Sequence, residues 1–351
     1  MATRALLTSF ATGTKPAVQQ RREQALFEAG ALGETHLHVC TLAGDVLGIG
    51  AFHLDPGGAA AEGVLWRRRT GGRAVACGDG FAVLTLALPH RSALVADDRY
   101  ALRPEQVMNR GVRGILAWIR RRGVDPIYPG LDTVTADRRA LAHLSFTELA
   151  DGPTLFQAIV ALERTFAATP ELLDRLDPGG RIPLRLVAAS ESTCLAECSP
   201  RRQPSPAGDL DLATLTAEVG AGYAEAFGLE VAELDPAVTE LLVADDPASD
   251  AIPPLPLDEV APASASGLLG MVSARARVAD GRVVAFSLSG NFVAPAWAVR
   301  ELSARIEGGP ASADAVTAAA DSVLDGNRGY LLGLAPAALR ELLARAVRGD
   351  G

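Results

Sequence analysis

Leu65-Trp66-Arg67-Arg68-Arg69-Thr70-Gly71-Gly72-Arg73-Ala74-Val75 is followed shortly by Phe81-Ala82-Val83-Leu84-Thr85-Leu86-Ala87-Leu88. Two apolar strands are joined through a loop that sets arginine beside paired glycines. Glycine lets backbone N–H groups approach an anion closely, and arginine adds a permanently charged, planar fork. Such a loop is either a cradle for a phosphate or carboxylate, or a tight Thr-Gly-Gly turn with solvated arginines. No Walker-type G-x-x-x-x-G-K-[ST] accompanies it.

The 351 residues suffice for one large domain or two ordinary ones with ample core. The composition, 48% hydrophobic and 21% charged, is that of a globular protein. No apolar run approaches the roughly 18 residues a membrane span needs, and no basic segment followed by an apolar core opens the chain. A cytoplasmic protein without membrane contact is expected. Four cysteines are too few for a disulfide scaffold. Cys194 and Cys198 lack the second Cys/His pair a zinc site requires, and His36, His38 and His53 lack completing ligands, so no metal site is expected.

The net charge of −9 hides an asymmetry. Residues 1–140 carry 18 Lys+Arg against 13 Asp+Glu, a net of +5, which leaves −14 for residues 141–351. A basic first part suits an anionic ligand or an acidic protein partner. Nucleic acid is a weaker fit, because no helix-turn-helix, zinc finger or aromatic-rich strand accompanies the arginines. Lys15 is the sole lysine, so arginine supplies almost all positive charge.

In chain order, residues 16–30 read as a helix with Val18, Arg22, Ala25, Leu26 and Ala29 on one face. Strands follow at 35–40 and 45–53, the second with glycines that permit close backbone approach. Residues 104–122 are the clearest helix: Pro104 sits in its first turn, and Val107, Val112, Ile115, Leu116 and Ile119 recur at helical spacing. Its arginines form either a solvated face or a docking surface for an acidic domain. A hairpin spans 127–146, turning at Ala136-Asp137; a strand at 155–162 and a helix at 209–227 complete a first domain. Composition shifts to Asp, Ala, Ser and Pro over 244–265, which reads as a linker. Strands at 268–278 and 282–289, joined at Asp280-Gly281, then lead to helices near 295–308, 312–323 and 335–348.

The run Arg-Arg-x-Thr-Gly-Gly-Arg-Ala-Val resembles the signature loop of the lipoate–protein ligase and octanoyltransferase family, and the hairpin, Gly290-Asn291-Phe292 turn and helices are similar to the accessory domain that follows the catalytic domain in bacterial lipoate ligases. The resemblance implies an α+β fold: a biotin/lipoate ligase-like mixed sheet flanked by helices over residues 1–243, a linker at 244–265, and a small α+β accessory domain over 266–351. It implies activation of lipoate or a medium-chain fatty acid such as octanoate with ATP and Mg²⁺ as an acyl-adenylate, then transfer to a lysine of an acidic lipoyl carrier domain. Arg68, Thr70, Gly71 and Gly72 would line the acyl-adenylate site, Arg73, Ala74 and Val75 would cover it, and Gly50 would approach it. Asp132 would help hold the nucleotide or its Mg²⁺.

Several positions depart from the family pattern. The family's lysine, which contacts the acyl carbonyl and α-phosphate, falls on Arg139, or on Arg138 if the register shifts by one. Leu131 replaces an asparagine, Cys77 stands near the place of a histidine, and Ala51 and His53 stand where the family has arginine and glutamine. Arginine in place of lysine is not conservative at a precise site. Cys77 is either a nucleophile activated by nearby arginines or a buried thiol, and no cysteine lies at 124–130, where one thiol-dependent branch would place it. These departures support an alternative: a ligase-like protein without catalysis that binds a lipoylated domain, an acyl-adenylate or another small carboxylate.

Overall fold

The computed structural model describes residues 4–54, 63–150, 152–169, 171–172, 186–198, 211–233 and 260–349. Its elements in chain order are β1 (Ala5–Thr14), α1 (Pro16–Ala31), β2 (His36–Leu42), β3 (Asp45–Ile49), β4 (Leu65–Arg67), β5 (Val75–Gly78), β6 (Phe81–Leu88) and α2 (Pro104–Arg121). Next come β7 (Thr133–Ala136), β8 (Arg139–Glu148), β9 (Thr154–Ala161), the one-turn α3 (Leu195–Cys198), α4 (Leu212–Phe227) and β10 (Glu230–Glu233). The C-terminal unit comprises β11 (Ala263–Gly267), β12 (Gly270–Ala279), β13 (Arg282–Gly290), α5 (Ala296–Ile306), α6 (Ala313–Val323) and α7 (Pro336–Arg348).

Seven strands form the central sheet in the order β10-β1-β2-β6-β9-β8-β7. β1 runs parallel to both β10 and β2, and the remaining pairings are antiparallel. Alternation along β6 and β9 sorts the faces. Ala82, Leu84, Leu86, Phe156, Ala158 and Val160 face α2 and α4 in the main core. Val83, Ala87, Leu155, Ile159 and Ala161 face the opposite way, toward α1 and the three-stranded sheet β4-β3-β5. The loop singled out by sequence connects β4 to β5, so it lies over this second face.

α2 and α4 meet at glycines. A Cβ on Gly222 would lie 2.3 Å from the Gly114 carbonyl, and one on Gly114 would lie 2.4 Å from the Tyr223 ring. The closeness lets the Tyr223 hydroxyl donate to the Gly111 carbonyl at 2.7 Å. In the C-terminal unit, Val272, Phe286, Leu288, Leu302, Leu342 and Leu343 form a separate core between β11-β12-β13 and the helices.

Several contacts join the units, two of them through large side chains. Phe52 stacks on Phe292 with centroids 4.4 Å apart. Arg91, buried beside Glu148 at 3.2 Å, also donates to the Asn327 carbonyl at 2.7 Å. Burial outweighs Arg91 at this carboxyl and pushes Glu148 up to about 7.

The structure differs from the sequence reading at several boundaries. The strand expected to reach His53 stops at Ile49, because Gly50 begins a turn closed by His53. The hairpin turns at Asp137-Arg138, both at positive φ (48° and 64°), the geometry that matches strand twist. β1, β10 and β11 were not anticipated. Residues 244–259 of the expected linker lie outside the described residues, and 263–265 belong to β11.

Gly222→Ala gains helix propensity of up to about 1 kcal/mol but overpacks against Gly114, at a cost of about 1–3 kcal/mol; a lowered urea midpoint is the expected outcome. For Glu148, the folded pKa lies above the ordinary 4.5. Its favourable contribution is therefore fully present below about pH 4.5 and lost as pH rises through about 7. Glu148→Gln should flatten that part of the stability–pH curve, measured by chemical denaturation.

Candidate functional site

A row of buried polar side chains crosses the second face of the sheet. Ser9, His38, Thr85, Gln157 and Ser145 are cross-strand partners on β1, β2, β6, β9 and β8. None is more than 4% exposed. Each has one face of the sheet to share with apolar neighbours, so each needs a hydrogen-bond partner from above.

Ser9 and His38 bond each other at 2.9 Å and Thr85 accepts from Gln157, while α1 and the arginine-glycine loop supply partners to Ser145 and Gln157. Arg68 Nη1 donates to Ser145 Oγ at 3.2 Å, Ser145 Oγ to Thr70 Oγ1 at 2.7 Å, and Thr70 Oγ1 to Gln157 Oε1 at 3.0 Å. Gln157 Nε2 then donates to Glu23 Oε1 at 2.9 Å. The chain runs in one donor direction from a guanidinium to a carboxylate, an arrangement in which neighbouring bonds polarise one another. Burial raises the Glu23 carboxyl, while the Arg69 N–H at 3.1 Å and Gln157 oppose that shift. Helical periodicity marked Arg22 and Leu26 on α1 but passed over Glu23. A polar residue within the apolar stripe was the available signal.

Arg68 is 2% exposed. Besides Ser145, its guanidinium donates to the Arg73 carbonyl, and its Nε has no partner among the described residues. Among the described residues no carboxylate lies within ion-pair distance of it, although Glu23 and Asp132 act on it at longer range. Burial lowers its pKa to about 10, so it stays charged at neutral pH.

Arg73 reaches across to Asp132 as a two-point fork, Nε–Oδ2 2.5 Å and Nη2–Oδ1 2.8 Å. Asp132 is 1% exposed and its carbonyl accepts the Leu144 N–H at 2.7 Å, fixing it beside β8. Since Arg73 takes both carboxylate oxygens, Asp132 does not fit a magnesium ion in this arrangement.

The glycines hold the loop in place. A Cβ on Gly50 would meet the Gly72 carbonyl at 2.6 Å, and one on Gly71 would meet the Phe292 carbonyl at 2.2 Å. Gly72 N–H donates to that same carbonyl at 2.7 Å. Two loop amides that could face an anion, those of Arg69 and Gly72, are thus taken by Glu23 and by the C-terminal unit. His53 fastens the contact further. Its Nδ1 accepts the Gly50 N–H at 3.1 Å, so Nε2 carries the proton donated to Asn291 Oδ1 at 2.7 Å.

Gly50, Arg68, Thr70, Gly71, Gly72, Arg73 and Asp132 are therefore brought together, and Ala74 and Val75 lead from the loop into β5, with Val75 opposite Gly48. Arg139 is not among them. It stands 39% exposed at the start of β8, 3.2 Å from Glu197. β8 carries an extra residue, Leu141, between the pairs Ala140↔Thr135 and Ala142↔Val134. Ala140 consequently packs on the face toward the loop, while Leu141 and Ala142 both join the main core. Arg138 is in the turn itself. Cys77 is buried and pushed up to about 12 by that burial, which disfavours a thiolate. His36 pairs with Glu34 and His38 with Ser9, so the three histidines considered for a metal go separate ways.

No protein-family model and no curated protein matches the chain. Solved structures do. Lipoate-bound LipL1 of P. falciparum aligns over 90% of this chain and 93% of its own, at 11% identity and TM-score 0.62. A bipartite lipoate protein ligase from Thermoplasma acidophilum covers 69% of this chain and 90% of its own, at 13% identity and TM-score 0.49. A biotin protein ligase from Leishmania major with biotinyl-5-AMP covers 82% and 98%, at 10% identity and TM-score 0.31. At such identities the likeness is one of fold, and it rests on the first of these: the chain has a lipoate ligase-like fold, a mixed sheet flanked by helices.

Proposed function

We propose that this protein is a lipoate ligase-like acyltransferase. It activates a small carboxylic acid, lipoate or a medium-chain fatty acid, with ATP as an acyl-adenylate and passes it to a lysine of an acidic carrier domain. The observation that carries this reading is Arg68: a buried guanidinium that, among the described residues, has no carboxylate in ion-pair reach and an unpartnered Nε, beneath the Gly71-Gly72 turn. An uncompensated buried charge is costly, and an acid or phosphate oxygen would offset it. Arg73, anchored by Asp132 and 27% exposed, adds a second positive group at the rim. The basic balance of residues 1–140 would draw an acidic carrier.

The alternative, binding without catalysis, is favoured by two facts. Arg139 is bonded to Glu197 away from the loop, and the Gly72 N–H is occupied by Phe292. ATP–pyrophosphate exchange with lipoate, octanoate and biotin offered separately decides between them. Exchange with lipoate or octanoate is expected; its absence with every acid, from folded protein, overturns the ligase reading and leaves binding.

Arg68→Ala should reduce that exchange about a hundred- to a thousandfold. Arg139→Ala should change it by no more than about twofold, the scale of an ordinary surface substitution. Arg73→Ala leaves Asp132 buried and unpaired. It should destabilise the fold by up to about 3 kcal/mol, with recovery in Arg73→Ala/Asp132→Asn, read by chemical denaturation.

A further inference from the structure

On the same face of the sheet as Ser145, His143 is a buried polar side chain with both ring nitrogens unpartnered among the described residues. It is 2% exposed. Its ring packs against Phe166 at 4.6 Å, edge on, and burial lowers its pKa to about 4, so the imidazole is neutral. Asp132, Arg73 and Arg68 are close enough to act on it electrostatically. On β8 it follows the extra residue Leu141 and shares a face with Ser145, two residues on, which is bonded to Arg68.

That spacing has a chemical consequence. Side chains two apart on a strand lie about 7 Å from each other along it. A carboxylate accepting one bond of about 2.9 Å at each end spans a similar distance. We propose that His143 is a ligand-binding residue: with Arg68, it holds the carboxylate of the bound acid on the face of β8 toward the loop, which Arg139 does not reach. This assignment rests on the acyltransferase reading above. The neutral ring supplies one N–H donor to a carboxylate oxygen, and Arg68 supplies the charge. The anion partners the N–H of an orphaned imidazole and a guanidinium without an ion-pair partner among the described residues.

Calorimetric titration of the full chain with octanoate and with lipoate tests the assignment. Wild type should bind, His143→Leu should bind about ten- to a hundredfold more weakly, and His143→Gln, which retains a donor, should recover most of the loss. Binding by wild type that persists unchanged in His143→Leu overturns the assignment alone and makes His143 a core residue. Binding of neither acid by wild type overturns the acyltransferase reading together with the assignment. Because His143→Leu can fail to fold, ¹⁵N spectra of histidine-labelled wild type provide a second readout. The His143 ring signal, identified by its loss in His143→Gln, should shift on adding octanoate. A shift elsewhere in the protein with none at His143 overturns the assignment.

Discussion

A full positive charge lies buried under the loop at Arg68, and much of the surrounding structure answers to it. Ser145 and the Arg73 carbonyl neutralise part of its hydrogen-bonding demand, and a directed chain of bonds carries the polarisation through Thr70 and Gln157 to Glu23 on α1. α1 thereby does more than cover apolar surface. Its carboxylate holds the loop's Arg69 amide, so helix, loop and sheet are tied through one polar seam. Such seams specify a unique arrangement because any slip of register leaves several buried groups unpaired at once.

The C-terminal unit takes part in the same construction. Its Gly290-Asn291-Phe292 turn closes on the loop from the other side, with aromatic stacking of Phe52 on Phe292, a histidine–asparagine bond and a backbone bond to Gly72. The glycines of the loop therefore serve close packing against protein as much as approach to a ligand. Only a residue without a Cβ admits the Phe292 carbonyl at Gly71. Neither the anion cradle nor the solvated turn that the sequence offers for these glycines includes this packing against a second unit.

Much of the architecture was legible because periodicity is a collective signal. α2, α4, the β12–β13 hairpin and the three terminal helices each repeat their pattern over many residues. β1 was missed because Ala5–Thr14 mixes small, polar and apolar residues without clean alternation, and its place is set by parallel pairing to distant β2 and β10. The polar row was illegible for a related reason. His38, Thr85, Gln157 and Ser145 lie on four different strands among other residues, and only the cross-strand register makes them one feature. The arginine-glycine loop and Asp132 could be named from a local motif, whereas their mutual closure through Arg73 could not, since 59 residues separate the pair.

Leu141 acts on this strand as a half-period phase shift. Counted by twos from Ser145, Arg139 would lie in step with His143 and face the loop; the extra residue puts Ala140 there instead. Upstream of that point β8 belongs to one rhythm, downstream to another. Which side chain faces the loop is thus decided by a single aliphatic residue that itself packs into the main core. Motif spacing measured along the chain counts that residue like any other, and so names Arg139, which pairs with Glu197 away from the loop.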